Sequence, residues 1–304
     1  MEKIKLFCES PNREDLTAVV WLPDGKPRAF IQILHGMAEH IERYDRTATD
    51  LCRYGYAVVG HNHKGHGPET PKEELGYFYE REGWSKLVED AHAVSDAIRS
   101  RYPGVPLVVL GHSMGSFVAR EYVIRYGDEI DALVLSGTGW HPAGLCTTAG
   151  LLAKCCNRKR PAKLVDRIAF SANNKPFEPA RTPFDWLSRD KQEVDKYIQD
   201  DYCGFVFTGA AFADMFGGLK ELTKLERLED IPHTLPIYFM SGDKDPVGNM
   251  GKSVHEVARQ FKQAGVTDVT VHLYDGARHE LFNELNRDEV IRDLVSWLNE
   301  KIKA

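Results

Sequence analysis

The stretch Pro106-Leu-Val-Val-Leu-Gly-His-Ser-Met-Gly-Ser-Phe-Val-Ala-Arg-Glu-Tyr122 joins an apolar run to a helical pattern at Gly111. The run from Leu107 to Leu110 is short, aliphatic and bounded by Pro106 and Gly111, which is typical of a strand buried on both faces. Beyond the turn, apolar residues recur at helical spacing: Phe117, Val118, Tyr122 and Val123. The stretch therefore predicts a strand, a sharp turn and a helix.

The turn itself carries a candidate nucleophile. Gly111-His-Ser-Met-Gly115 fits the pattern G-x-S-x-G, in which small flanking residues allow a strained turn to expose the serine hydroxyl. The N–H of Met114 would then face the reacting carbon at a helix N-terminus, where partial positive charge favours an oxyanion. The same pentapeptide also occurs in glycine-rich turns that have no catalytic role, so whether Ser113 is a nucleophile depends on motifs elsewhere in the chain.

Size and composition indicate one large core that carries an insertion. The chain has 304 residues, of which 42% are hydrophobic and 28% charged. It contains no apolar run of about 18 residues that could span a bilayer. The first residues lack the apolar segment and cleavage site of a secretory signal, and we therefore expect a cytoplasmic protein.

Charge and cysteine usage exclude several other classes. A net charge of −6 argues against a nucleic-acid-binding surface. The six cysteines form no compact framework, and we expect reduced thiols rather than disulfides. Adjacent Cys155 and Cys156 lack a nearby C-x-x-C partner and make a poor zinc site. We expect neither a metal nor a cofactor, and these patterns leave the oligomeric state open.

The first part of the chain alternates strand patterns with turns. Residues 3–7, 17–22 and 28–34 read as strands, and we expect them to be neighbours joined by tight turns. The third run ends in the loop 35–40, where Gly36 lets the backbone approach a ligand closely. The N–H of Met37 is the second candidate oxyanion donor, beside that of Met114.

Strands and helices alternate from residue 56 onward. Strand patterns at 56–60, 107–110 and 132–135 are separated by helical patterns, of which 84–101 is the clearest. This alternation predicts right-handed crossovers and a mainly parallel sheet with helices on both faces. In such sheets the ligand site lies at the carboxyl ends of the strands, where Ser113 falls.

The alternation of strands and helices stops between residues 137 and 232, where the sequence predicts helical and irregular segments and no clear strand. We expect a cap over the site, which divides the core into residues 1–136 and 233–304. An apolar patch at residues 151–153 precedes a basic cluster that ends at Arg160, and it forms either a docking surface for an amphiphile or a solvated helix end. The aromatic residues of this segment line an acyl pocket or pack its own core: Phe170, Phe177, Phe184, Trp186, Tyr197, Tyr202, Phe205, Phe207, Phe212 and Phe216.

Two late strands each end in a loop with a candidate site residue. The strand at 235–240 leads to Ser241-Gly-Asp-Lys-Asp-Pro-Val247, and the strand at 269–274 leads to Asp275-Gly-Ala-Arg-His-Glu280. His279 follows both the serine and the acidic loop, as a general base should in this order. Asp243 and Asp245 compete to orient it, and Asp245 is preferred because Pro246 holds it extended while Asp243 is suited to capping the turn.

Three histidines in one loop offer a rival chemistry. His61, His63 and His66 have the spacing H-x-H-x-x-H of a zinc loop in metallo-β-lactamase-type hydrolases. That pattern has an aspartate where this chain has Gly65, and no second group of ligands follows at a recognisable spacing. The alternative is a turn in which Gly65 and Gly67 supply backbone freedom.

With these residues identified, the chain resembles the α/β-hydrolase superfamily, and within it the monoacylglycerol lipase and lysophospholipase-like serine hydrolases, also called serine aminopeptidase-like. The matching pieces span nearly the whole chain: Leu34-His-Gly-Met-Ala-Glu-His40, Arg43-Tyr44, His63-Lys-Gly-His-Gly67, Gly111-His-Ser-Met-Gly115, Gly242-Asp-Lys-Asp245 and Gly276-Ala-Arg-His279. The resemblance implies a capped hydrolase with the triad Ser113, Asp245 and His279. It also implies that the histidine-rich loop is structural. Asn62 departs from the aspartate that is usual in relatives.

These observations predict a serine hydrolase that cleaves esters of small amphiphiles, such as a monoacylglycerol or lysophospholipid, through an acyl-enzyme intermediate. The same triad would serve a peptidase or amidase if a cap carboxylate such as Glu178 or Asp185 received a substrate amino group. A zinc hydrolase that uses the histidine loop and a binding protein without catalysis are the remaining alternatives.

Overall fold

The computed structural model describes residues 1–302, which form one mixed sheet covered by helices. Its strands follow the order β1-β2-β4-β3-β5-β6-β7-β8. Antiparallel pairing joins β1 to β2 and β2 to β4, and all the other neighbours are parallel. The strands are β1 (Glu2–Phe7), β2 (Thr17–Leu22), β3 (Phe30–Leu34), β4 (Ala57–His61), β5 (Leu107–His112), β6 (Ala132–Ser136), β7 (Ile237–Gly242) and β8 (Val269–Tyr274).

Helices cover both faces of this sheet. Leu87, Val118 and Val257 bury one apolar face, and Leu51 and Leu294 bury the other. Burial on both sides explains why the central strands are apolar throughout rather than alternating. The helices are α1 (Asp45–Arg53), α2 (Gly83–Arg101), α3 (Met114–Tyr126), α4 (Ala143–Lys154), α5 (Lys163–Phe170), α6 (Lys191–Gln199), α7 (Gly209–Glu221), α8 (Leu225–Leu228), α9 (Lys252–Gln263) and α10 (Arg287–Lys301).

The predicted mainly parallel sheet with helices on both faces is confirmed, but one strand pairing was wrong. We expected β2 and β3 to be neighbours, whereas β4 lies between them and pairs with both. The helical segment after β3 provides the physical reason. It forms a crossover connection instead of a hairpin, so that β4 lies parallel to β3 and occupies the position beside it that we expected for β2. That segment is also divided, since a 3₁₀ turn at Ile41–Tyr44 precedes α1.

Between β6 and β7 lie five helices, α4 to α8, and the only strand-like pairing there among the described residues is an isolated bridge between Pro161 and Thr208. Phe207 and Phe212 are fully buried in the main core, so these two aromatics pack the interior rather than line a pocket. Within residues 1–302, no helix has both the length and the apolar character needed to cross a membrane.

Candidate active site

The turn at Ser113 needs glycine on both sides. Ser113 lies between β5 and α3 with φ 52° and ψ −120°, a conformation that a serine adopts only under constraint. A Cβ on Gly115 would lie 1.9 Å from the carbonyl oxygen of Leu34, and one on Gly111 would lie 2.3 Å from the carbonyl oxygen of Gly115. The absence of these two side chains lets α3 begin directly against the end of β3 and holds Ser113 at the edge of the sheet.

The loop 35–40 passes beside Ser113. A Cβ on Gly36 would lie only 3.2 Å from the Cβ of Ser113. The N–H of Gly36 donates to Oε1 of Glu39 at 2.6 Å, and the N–H of Ala38 donates to Nε2 of His66 at 3.3 Å. Between them, the N–H of Met37 has no acceptor within residues 1–302.

The N–H of Met114, the first residue of α3, likewise has no acceptor in the part of the chain that the structure describes. It follows Ser113 directly and lies at the positive end of the helix dipole. Both backbone donors that the sequence singled out are therefore available to a ligand near Ser113.

Asp245 and His279 form a buried pair at the same edge of the sheet. Nδ1 of His279 donates to Oδ2 of Asp245 at 2.9 Å, and the two side chains are 2% and 0% exposed. The carboxylate also accepts a hydrogen bond from the N–H of Val247 at 2.9 Å and one from the Ser241 hydroxyl at 3.3 Å. These bonds fix the imidazole so that Nδ1 carries its proton and Nε2 is left to accept one.

Asp243, the competing acid, takes a different partner. Its Oδ2 accepts from Nζ of the neighbouring Lys244 at 2.8 Å, and this pair is partly exposed. Its backbone N–H donates to the carbonyl of Tyr274, which places it in the turn that follows β7. Only Asp245 of the two contacts His279.

Two effects act in opposite directions on the pKa of His279. Burial is the largest influence and disfavours the charged imidazolium, but the adjacent Asp245 carboxylate, with smaller contributions from Glu280 and Glu39, leaves the pKa of His279 raised. His112, whose ring centroid lies 4.8 Å from that of His279, behaves differently. Burial, reinforced by repulsion from His279, lowers the pKa of His112 to about 4. At neutral pH, His112 is therefore an uncharged neighbour.

The helical segment between β6 and β7 contacts the His279 loop directly. The N–H of Glu280 donates to the carbonyl of Leu187 at 2.7 Å, and that of His279 donates to the carbonyl of Trp186 at 3.4 Å. The indole of Trp186 lies 5.0 Å from the imidazole of His279 between ring centroids. Among the aromatics that the sequence grouped together, Trp186 is the one whose ring contacts His279, and only tertiary structure distinguishes it.

The histidine-rich loop does not assemble a metal site. Within residues 1–302, two groups bring three ligand atoms within 4.8 Å of one another, His40–Asp200–Cys203 and His92–Asp96–Glu129, and neither includes the loop histidines. Nε2 of His66 instead accepts from Ala38, and the N–H of His63 donates to Nε2 of His35 at 3.0 Å. The geometry therefore does not support the zinc alternative for His61, His63 and His66. Of the three rings, only that of His66 bonds to the loop 35–40, and the ring nitrogens of the other two have no hydrogen-bond partner within residues 1–302.

His40, in the first of those groups, is already occupied. Its Nδ1 lies 2.8 Å from Oε2 of Glu42, and its Nε2 lies 2.8 Å from Oδ2 of Asp200. Burial opposes protonation, but the two carboxylates together raise the pKa of His40. We interpret this arrangement as an ion cluster that ties the loop 35–40 to the α6–α7 connection.

Asn62 supports the same region. Its Oδ1 accepts from the N–H of Ile41 at 2.8 Å, which anchors the 3₁₀ turn after the loop 35–40. Its Nδ2 faces two carboxylates, Glu42 at 3.3 Å and Glu69 at 3.2 Å. The amide suits this position in the present chain because a carboxylate there would meet two others.

Comparison with known proteins places the chain in a family. Residues 25–286 match the family model described as serine aminopeptidase, S33. The chain is 30% identical over 283 residues to a monoacylglycerol lipase of Mycolicibacterium smegmatis, which covers 92% of this chain and 91% of that protein. It is 30% identical over 294 residues to the mouse monoglyceride lipase, which covers 93% and 86% respectively.

Solved structures agree with this placement. A thermostable carboxyl esterase from Bacillus coagulans superposes with a TM-score of 0.90 at 29% identity and covers both chains completely. A monoglyceride lipase from Saccharomyces cerevisiae has a TM-score of 0.75 at 19% identity, covers 98% of this chain and 96% of its own, and shares the fold. The chain therefore belongs to the serine aminopeptidase S33 family of α/β-hydrolases.

Proposed function

We propose that this protein hydrolyses carboxylic esters of small amphiphiles, such as a monoacylglycerol, with Ser113 as nucleophile, His279 as general base and Asp245 as the orienting acid. The buried Asp245–His279 hydrogen bond, at the same sheet edge as the strained Ser113 turn, carries the proposal. The lipases and the esterase among its relatives support an ester substrate.

In the proposed acylation, Oγ of Ser113 attacks the ester carbonyl carbon while its proton moves to Nε2 of His279. The carbonyl π electrons move onto oxygen, and the N–H groups of Met37 and Met114 donate to that oxyanion. Collapse of the intermediate breaks the bond to the alcohol oxygen, which takes the proton from Nε2. Asp245 stays ionised and stabilises the transient imidazolium.

Deacylation repeats these steps with water in place of serine. Water loses a proton to Nε2 of His279 as its oxygen attacks the acyl carbon, and Ser113 recovers that proton when the acid departs. His279 must be neutral to start either half. Because its pKa is raised, activity should fall as the pH drops through that raised value.

We propose further that residues 137–232 act as a cap that shapes the substrate pocket. Trp186 supports this idea because its ring contacts that of His279, as an aromatic wall beside the reacting group would. The backbone bonds from Leu187 and Trp186 to the His279 loop would keep that wall in place.

The exposed side of α5 suits contact with an amphiphile surface. Leu164 and Ile168, one turn apart, are 49% and 61% exposed, and Lys163 and Arg167 flank them. Apolar side chains beside cations favour the boundary of an anionic micelle or bilayer. This contact would bring the cap to its substrate.

The peptidase alternative finds less support. Asp185, one of the two cap carboxylates considered, accepts from the Thr182 hydroxyl at 2.5 Å and from the N–H of Arg181 at 2.6 Å. Both of its oxygens therefore serve a local turn. Glu178 is exposed to solvent rather than enclosed near His279.

The test is hydrolysis of p-nitrophenyl esters from acetate to long acyl chains, together with a monoacylglycerol, by the wild type and Ser113→Ala. We expect the wild type to cleave medium or long chains, and the variant to lose several orders of magnitude in kcat. Labelling of Ser113 by a fluorophosphonate separates this protein from a binding protein without catalysis. Equal activity in both proteins, or cleavage of aminoacyl amides but not esters, would contradict the proposal.

A further inference from the structure

A buried cluster of three charged side chains joins the loop 35–40 to the loop that carries His279. Arg43 lies at its centre and donates through both terminal nitrogens to the two carboxylate oxygens of Glu280, each at 2.8 Å. Nη1 of the same guanidinium donates to Oε2 of Glu39 at 2.6 Å. Glu280 follows His279 directly in the chain. The Arg43–Glu280 pair therefore joins residues 237 positions apart in the sequence and connects the two halves of the site.

The other oxygen of Glu39 holds the backbone next to Met37. Oε1 accepts from the N–H of Gly36 at 2.6 Å and from the Tyr44 hydroxyl at 3.0 Å. A carboxylate bonded to the N–H of Gly36 fixes the His35–Gly36 peptide plane, which directly precedes the plane that carries the N–H of Met37. Glu39 therefore restrains the backbone on the N-terminal side of that donor.

Stability alone does not account for this cluster. Burying three charges is costly, and apolar side chains of similar volume often give an equally stable or more stable protein. Arg43 also stacks on the ring of Tyr197 from the segment between β6 and β7, with its guanidinium 4.8 Å from the ring centroid. Three separate parts of the chain thus meet at one guanidinium, which suggests a role in arranging the site.

We propose that Glu39, Arg43 and Glu280 are positioning residues that fix the relative positions of the Met37 N–H and the His279 ring. Their excess negative charge also stabilises the imidazolium form of His279. This inference rests on the proposed function of the same site. Two carboxylates and one guanidinium leave the cluster with a net charge of −1. That charge acts from the side of the loop 35–40, in addition to Asp245.

The charges that face His279 support this reading. Asp245 approaches from the loop after β7, His112 from the turn after β5, Glu280 from its own loop, and Glu39 with Arg43 from the loop 35–40 and the turn behind it. Burial opposes protonation of His279, and after Asp245 the carboxylates of Glu280 and Glu39 raise its pKa. Burial is the largest influence and opposes ionisation of both glutamates, but Arg43 together with smaller contributions, which for Glu39 include the hydrogen bonds from Gly36 and Tyr44, leaves their pKa values lowered. His112 is neutral and contributes no charge.

The decisive variant is Glu280→Gln, which keeps the shape of the side chain and removes one negative charge. The matched control is Glu121→Gln. Glu121 is as buried as Glu280 and forms the same kind of two-point pair, with Arg227 at 2.7 and 2.8 Å, but on the far part of α3. Both variants lose stability, and only the first changes the charge near His279.

The readout is the rate at which a fluorophosphonate labels Ser113, followed from about pH 5 to 9, with kcat on an ester in parallel. The charge of Glu280 raises the pKa of His279, so its removal should shift the acidic limb of the pH–rate profile to lower pH in Glu280→Gln. In the pH range where the rate no longer changes, kcat should fall by about 10-fold or more. Glu121→Gln keeps the wild-type limb. Arg43→Lys retains the charge but not the fork geometry, so we expect lower kcat with an unshifted limb.

Each outcome has one meaning. A folded Glu280→Gln with the acid limb and kcat of the wild type would overturn the inference and leave the proposed function intact. If that variant does not fold, Glu39→Gln, which removes the other excess charge, is read by the same criteria. A wild type in which Ser113 is not labelled at any pH would overturn the inference and the proposed function together.

Discussion

Asp245 accepts a hydrogen bond from Nδ1 of His279 at 2.9 Å although the two residues are 34 positions apart, and neither side chain reaches solvent appreciably. Asp243 lies only two positions before Asp245 and pairs with Lys244 instead. The loop after β7 thus presents two carboxylates, and one of them meets the imidazole. This difference gives a direct test of the assignment.

Asp245→Asn should lower kcat by about 10³–10⁴-fold, because an amide at this position favours the wrong imidazole tautomer and cannot stabilise the imidazolium. Asp243→Asn is the matched control, and we expect it to retain turnover within a few-fold of the wild type. Steady-state kinetics on one p-nitrophenyl ester measures both variants. A collapse in Asp243→Asn with turnover preserved in Asp245→Asn would reverse the assignment.

Gly115→Ala should destabilise the fold by about 3 kcal/mol or more, since the added Cβ would lie 1.9 Å from the carbonyl oxygen of Leu34, a backbone atom that cannot yield. The control is Gly217→Ala in α7, where a Cβ meets nothing within 4 Å and the site is exposed. We expect that change to stabilise by about 0.5–1 kcal/mol. Urea unfolding measures both free energies, and equal stabilities would contradict the packing argument at the Ser113 turn.

The protein should lose stability as the pH falls below about 6.5, the usual pKa of an exposed histidine. Burial lowers the pKa of six histidines, to about 3 for His35 and about 4 for His112, well below the usual value for His61, His63 and His66, and below it for His141. The unfolded chain binds these protons first, so stability is fully present above pH 6.5 and declines towards the folded pKa. Each histidine should cost about 1.4 kcal/mol per pH unit.

His61→Leu tests the source of that decline, because neither ring nitrogen of His61 has a hydrogen-bond partner among residues 1–302. Between about pH 5 and 6.5, removing the ring should reduce the slope of unfolding free energy against pH by roughly the contribution of one histidine. Urea unfolding at several pH values gives the slope. A slope equal to that of the wild type would show that His61 does not titrate on unfolding.

Asn62→Asp should destabilise this protein by about 1–2 kcal/mol at neutral pH, although the family resemblance seen in the sequence implies aspartate at this position. The new carboxylate would face Glu42 and Glu69 and would lose both donated hydrogen bonds. Adding Glu69→Gln should restore part of the loss, whereas the same change in the wild type should bring no gain. Thermal unfolding of the four proteins completes the cycle, and an Asn62→Asp protein as stable as the wild type would reject this explanation.

The fold could be predicted from local patterns because most of its connections are local. The apolar runs at β4 to β8 and the amphipathic helices between them specify a parallel sheet through crossover geometry, and this prediction is confirmed. The position of β4 between β2 and β3 was missed, because strand spacing along the chain does not state which edges pair.

Some features of the candidate site could likewise be predicted from the sequence, and others could not. The residues proposed for catalysis could be chosen from motifs at the ends of strands, and their assignment stays a prediction that the experiments above address. The alternative zinc use of His61, His63 and His66 lost support only once the positions of their ring nitrogens were known, because within residues 1–302 these three side chains do not form a group that could hold a metal ion. Trp186 could not be distinguished from the other aromatics of its segment for the same reason.

The sequence by itself determined the strand–turn–helix at Ser113, the order of serine, acid and histidine, and the backbone freedom of the glycines around them, because these depend on neighbours within a few positions. Only the tertiary structure decided that Asp245 rather than Asp243 contacts His279 and that Arg43 links Glu39 to Glu280. Such contacts join residues far apart in the chain, and their geometry depends on how the whole sheet twists and packs rather than on any local pattern.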